Sequence, residues 1–243
     1  MRVVIFGDSH VGALVRGHRQ IRDNGKWPAD VELLIRGTNG GVFTGEFFVD
    51  RGDHVEIVAE KFWGSMKRLP LADDQSRNTV YGICAHYHSA RVWRNPQWKH
   101  YAPIALARNE HPVSEEMVKR MAVDDQRQML ALAAVLNRIG VRTFAIEAPR
   151  PFSDHRALQL LRKDVIQRVD TIYRKAMRDV LDKLSVPTLG LPAECIAPDG
   201  FMDGCFKIDR MGDQHHANSK FGMLMMERML LFLADHFPPN SET

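Results

Sequence analysis

Two short stretches at opposite ends of the 243-residue chain hold side chains that could do chemistry. The first, Gly7-Asp8-Ser9-His10 followed by Val11-Gly12, comes directly after the apolar run Val3-Val4-Ile5-Phe6. A serine between a strand and a helix points its backbone N–H at an incoming oxyanion, and the helix dipole favours the negative charge. A Ser or Asp there also makes an ordinary helix cap. The second stretch is Gly212-Asp213-Gln214-His215-His216-Ala217-Asn218. An Asp three residues before a His on a tight turn can reach the imidazole Nδ1, which fixes the tautomer and leaves Nε2 free to take a proton from a serine. Plainer roles are open here too: Asp213 or Asn218 capping the last helix, with His215 and His216 solvated.

These residues need elements to hold them. Val3 to Phe6 reads as a strand and His10 to Asp23 as a helix; Val31–Ile35, His54–Ala59 and Thr79–Ala85 read as further strands. Ser114 with Glu115 and Glu116 opens a helix in the usual way, a side-chain cap with negative charge at the positive end of the dipole. Its apolar positions Met117, Met121, Met129, Leu132, Leu136 and Ile139 carry the pattern to Gly140. Val141–Ala148 and Val186–Leu189 are strands, 158–184 is a long helix, and the last helix runs from about Asn218 to His236, before Pro238-Pro239. Alternation of strand and helix predicts an α/β protein with a mainly parallel sheet covered on both faces. The stretch 86–112 breaks that rhythm. It holds Arg91, Trp93, Arg94 and Trp98 without a period, as expected of a lid or of a surface excursion whose tryptophans pack down.

Together the end blocks resemble the SGNH or GDSL-type hydrolase superfamily, with G-D-S near the N-terminus and D-x-x-H near the C-terminus before a helix. The resemblance implies a flavodoxin-like, three-layer α/β/α sandwich in a single domain over 1–243, with 86–112 as an insertion or lid. It implies Ser9 as nucleophile, His216 as general base and Asp213 as its orienter. A glycine after the second strand normally adds an oxyanion donor; among Gly37, Gly40 and Gly41, Gly40 is expected to fill that role beside the Ser9 N–H. The family's G-x-N-D block has no copy. Where it should stand the chain reads His86-Tyr87-His88-Ser89, so His88, or next His86, is expected to replace the asparagine. Asp8 is expected to support the loop and His10 simply to start the helix.

Composition fits this class. Hydrophobic residues are 44% and charged residues 26% of the chain, typical of a globular protein. The formal charge is only +3, and the basic residues are scattered, which gives no footprint for nucleic acid. No apolar run reaches the ~20 residues of a bilayer span. With a strand starting at Arg2 there is no room for an apolar leader, so a cytoplasmic protein is expected. Three cysteines without a C-x-x-C pair indicate neither a disulfide framework nor a cysteine zinc site.

The expected reaction is hydrolysis of an acyl or O-acetyl ester of a small molecule or carbohydrate, with no cofactor. Asn39 and Arg91 are expected at the substrate, and Arg36, Arg94 and Arg150 lie on segments that meet near the same strand ends. Two other readings remain open. One is a metal-dependent phosphoesterase using Asp8, His10, His86, His88, His215 and His216, with Val49-Asp50-Arg51-Gly52 echoing that superfamily's second block, although Phe47 stands where it needs a bridging aspartate. The other is a binding module for a glycan or acylated ligand that does not turn it over.

Overall fold

A computed structural model of the chain describes residues 1–38, 43–60, 66–74 and 79–238. In chain order its main elements begin with β1 (Arg2–Gly7), α1 (Val11–Asp23), β2 (Glu32–Gly37), β3 (Phe48–Asp50), β4 (Val55–Ile57), β5 (Arg68–Leu69) and β6 (Thr79–Cys84). They continue with α2 (Ala90–Trp93), β7 (Tyr101–Pro103), β8 (His111–Val113), α3 (Glu115–Asp125), α4 (Arg127–Arg138), β9 (Thr143–Ile146), α5 (Lys163–Lys183), β10 (Thr188–Leu189) and α6 (Ser219–His236).

The central sheet runs β2-β1-β6-β9-β10, every pairing parallel. Among its own strands that is the doubly wound order 2-1-3-4-5, which places a topological switch point beside β1. Successive side chains of a strand face opposite ways, so Val3 and Ile5 pack toward α1 and α6 while Val4 and Phe6 pack toward α4 and the small second sheet. On α6 the buried Phe221, Met225, Met226, Met229 and Leu233 form the face turned to the sheet, each worth about 1.5–3 kcal/mol of burial. This is a three-layer α/β/α sandwich. No helix among the described residues is long and apolar enough to cross a membrane.

Two elements differ from the sequence expectation. The strand expected at His54–Ala59 is β4, which belongs to the separate antiparallel sheet β3-β4-β5. Val49-Asp50-Arg51-Gly52 leads into the turn that joins β3 to β4, with Asp50 Oδ1 accepting from Gly52 N (2.9 Å) and its carboxylate gripped by Arg138 (2.7 Å). That segment is the end of β3 and its turn, and it contributes no residue to the Asp–His–His groups. The helix expected over 114–140 is two helices, α3 and α4, broken at Gln126. Local periodicity continues across the break, but Tyr173 on α5 donates to Asp125 (2.7 Å) and accepts from the Gln126 amide (2.8 Å), and the backbone bends to meet it. Ser114 caps α3 as expected, accepting from Met117 N at 3.1 Å.

One packing feature governs the site. α1 and α6 cross so closely that a Cβ on Gly17 would stand 2.1 Å from the Gly222 carbonyl carbon, and one on Gly222 would stand 1.9 Å from the Ala13 carbonyl oxygen. Only glycine at both positions allows that approach. The loop before α6 is therefore held against the start of α1, and Arg16 Nη2 donates to the Ala217 carbonyl at 2.7 Å.

Candidate active site

β1 ends at Gly7, whose Cα faces the β6 backbone so tightly that a Cβ would lie 2.1 Å from the Cys84 carbonyl oxygen. Asp8 N extends the pairing to Cys84 O (3.1 Å), and the chain then turns into α1 through Val11 N to Asp8 O (3.2 Å) and Gly12 N to Ser9 O (3.1 Å). This turn buries Asp8 and His10 and leaves Ser9 exposed at the carboxyl end of the sheet, at the positive end of α1.

Across the α1–α6 crossing, His216 Nε2 lies 2.7 Å from Ser9 Oγ. Its Nδ1 lies 2.8 Å from Asp213 Oδ2, while Asp213 Oδ1 accepts from the backbone N–H of His215 (3.3 Å) and His216 (3.1 Å). Burial works to raise the Asp213 carboxyl, but the bonds from His216 and from these two N–H groups overcome it and hold the group down to about 2. An ionised Asp213 can only accept, so Nδ1 carries the proton and Nε2 presents its lone pair to Ser9. Capping of α6 falls to Asn218, whose Oδ1 accepts from Phe221 N at 3.2 Å.

A second carboxylate–imidazole pair stands beside the first. Asp8 accepts from His10 N (2.9 Å), the loop role expected of it, and its other oxygen is 2.6 Å from His88 Nδ1. Although burial pushes the Asp8 carboxyl upward, the neighbouring His10 and the bond from His88 bring it below its ordinary value. His10 is no mere helix-start residue: its buried ring has its centroid 5.0 Å from that of His88, 5.3 Å from His216 and 6.0 Å from His215. Burial is the main reason that His10 falls to about 3. His215 sits 3.9 Å from His216, ring to ring, and falls to about 4 through burial and the nearness of His216 and Arg94.

His86 is elsewhere. It is fully buried with Nε2 donating to the Met129 carbonyl (3.3 Å), because His86 and His88 lie on a turn rather than on an extended segment and their side chains diverge. It can serve neither as an oxyanion donor nor as a metal partner of His88. Among the described residues, the groups whose geometry suits a cation are Asp8–His10–His88 and Asp213–His215–His216, the ligand atoms in each lying within 4.8 Å of one another. Arg91 does not reach out to a ligand either, since Asp125 takes its guanidinium at 2.7 and 3.0 Å. Asn39 and Gly40 lie outside the described residues. In 86–112 the tryptophans pack down: Trp93 and Trp98 are buried, and Trp98 Nε1 donates to Val92 O at 2.9 Å.

Arg94 and Arg150 were not singled out in the sequence above the other loop arginines, yet both line a pocket with His10, His88 and His215. Both lie on segments expected near the strand ends, and their convergence on one pocket depends on where the β6 and β9 loops end.

The fold has solved counterparts. An acetyl xylan esterase, AlAXEase, superposes with a TM-score of 0.51 at 15% identity, covering 96% of this chain and 100% of its own. A presumed acylhydrolase of Bacteroides fragilis NCTC 9343 gives 0.50 at 12% identity, covering 98% of this chain and 88% of its own. These two hydrolases share the three-layer fold of this chain. A protein of Lactobacillus plantarum superposes with a TM-score of 0.50 at 12% identity over 97% of each chain. No protein-family model matches the sequence, and no curated protein matches it.

Proposed function

We propose that the protein is a serine esterase that hydrolyses an acyl or O-acetyl ester of a small molecule or carbohydrate through an acyl-enzyme. The observation that carries this reading is the unbroken chain of contacts from Ser9 Oγ through His216 (2.7 Å) to Asp213 (2.8 Å), on the fold of known esterases. His216 Nε2 takes the Ser9 proton as Oγ attacks the ester carbonyl, and returns it to the leaving alcohol. A water activated by the same nitrogen then releases the acid. Asp213 steadies the imidazolium that forms in each step.

The oxyanion is held by the Ser9 backbone N–H and by His88. The buried Asp8 carboxylate accepts from His88 Nδ1, so Nε2 carries a proton only when the ring is an imidazolium. In that form Nε2 would supply the donor that the family's asparagine amide supplies.

A fluorophosphonate probe tests the reading. Wild-type protein should label and Ser9→Ala and His216→Ala should not, while His215→Ala keeps most of its labelling. Labelling that survives Ser9→Ala would sink the serine mechanism, and ester cleavage abolished by a chelator would transfer the chemistry to the two Asp–His–His groups.

A further inference from the structure

Beside the histidine cluster lies a small pocket of about 20 Å³, open to solvent, with Arg94 and Arg150 on its wall together with His10, His88 and His215. Arg94 Nε and Nη2 and Arg150 Nε are buried there, without a hydrogen-bond partner among the described residues. A buried guanidinium N–H left unpaired is costly, and such groups are found where an acceptor from outside completes them.

Neither arginine is floppy. Arg94 ends α2 with its guanidinium carbon 5.2 Å from the centroid of the buried Trp93 ring. Arg150 stands between Pro149 and Pro151, on a segment whose carbonyls at Ala148 and Pro149 each accept from Arg174 at 3.0 Å. Nearby carboxylates offset them only in part. Asp213 is engaged by His216, Asp8 by His88 and His10 N, and Asp170 by Ser89 (2.5 Å) and Arg174 (2.9 Å), leaving Arg150 Nη1 at 3.7 Å from Asp170. Burial pushes both guanidinium groups below their ordinary value, with Arg156 adding to this at Arg94 and Arg174 at Arg150. The pocket therefore carries positive charge that the nearby carboxylates offset only in part, forked for an oxyanion.

We propose that this pocket binds an anionic group, a carboxylate, sulfate or phosphate, borne by the substrate ester, with Arg94 and Arg150 as its ligands. The inference rests on the reading of Ser9 as nucleophile only for where the ester bond lies; the anion site stands on the arginines. Two of the pocket's residues, His10 and His215, border His216, so an anion held here leaves the adjoining part of the same molecule at the serine.

The test uses the Ser9→Ala protein, which cannot turn over substrate, titrated by calorimetry with two probe pairs. The first, 4-acetoxybenzoate against its methyl ester, carries the charge on the alcohol side. The second, mono-4-nitrophenyl adipate against 4-nitrophenyl hexanoate, carries it on the acyl side. The charged member of at least one pair should bind tenfold or more tightly, and the pair that discriminates tells which side of the ester carries the anion. Adding Arg94→Gln or Arg150→Gln should cut that preference about tenfold, the effect of losing one hydrogen bond to a charged group, while Arg94→Lys retains part of it. Equal Kd values within both pairs, or a preference that survives both glutamine variants, overturns the proposal. Turnover of the same esters by the wild-type protein is read separately: preference without turnover removes the hydrolase reading and keeps the pocket, and turnover without preference does the reverse.

Discussion

Gly222→Ala should disable the site from a distance. The added Cβ would lie 1.9 Å from the Ala13 carbonyl oxygen and 2.7 Å from its carbon, both rigid backbone of α1. Non-bonded heavy atoms need roughly 3.5 Å, so α6 must retreat from α1 by about 1 Å or more. Ser9 immediately precedes α1 and His216 lies just before α6, so the retreat stretches their 2.7 Å contact toward about 3.7 Å, beyond a hydrogen bond. A misplacement of about 1 Å costs on the order of 10²-fold in rate, and overpacking costs about 1–3 kcal/mol of stability, a fall of roughly 2–10 °C in Tm for a chain of this size. The assay is the second-order rate of fluorophosphonate labelling, measured beside a thermal melt. Gly12→Ala is the control, because its Cβ would meet nothing nearer than Arg16 Nη1 at 3.4 Å and so should leave both readouts near wild type. Labelling of Gly222→Ala at the wild-type rate with an unchanged Tm would refute the claim that this helix crossing sets the Ser9–His216 distance.

Asp213→Asn should keep the fold and lower labelling by about 10³–10⁴-fold, since an amide can hold the ring in the wrong tautomer; circular dichroism with the labelling rate checks both halves. Acid should destabilise the protein through its buried histidines. Burial lowers His10 to about 3 and His86 to about 4, from an ordinary value of 6.5, so the unfolded chain takes up these protons first and stability falls as pH drops below about 6.5. At about 1.4 kcal/mol per pH unit for each group, the pair costs about 4 kcal/mol at pH 5 relative to pH 7. Urea unfolding at the two pH values measures this, and His86→Gln should remove about 2 kcal/mol of the difference; an unchanged difference would show that His86 is not the source.

Strand and helix positions followed from the residues where burial pattern and local punctuation agree. Val3 to Phe6 ending at Gly7, Ser114 capping α3 and Asn218 heading α6 are all short-range chemistry, as is the Asp213-to-His216 spacing, because a three-residue turn decides that geometry locally. What could not be read locally was decided by neighbours distant in the chain. Tyr173 breaks the helix at Gln126, and the turn after β6 sends His86 into the core and His88 to Asp8. Asp125 claims Arg91, while Arg94 and Arg150 converge on a pocket that neither local sequence announces. The physical reason is range. Caps, turns and side-chain periods act within a few residues, whereas which arginine stays unpaired, and whether two glycines let α1 and α6 close on Ser9 and His216, depends on backbone and charges about two hundred positions apart, which meet only in the folded chain.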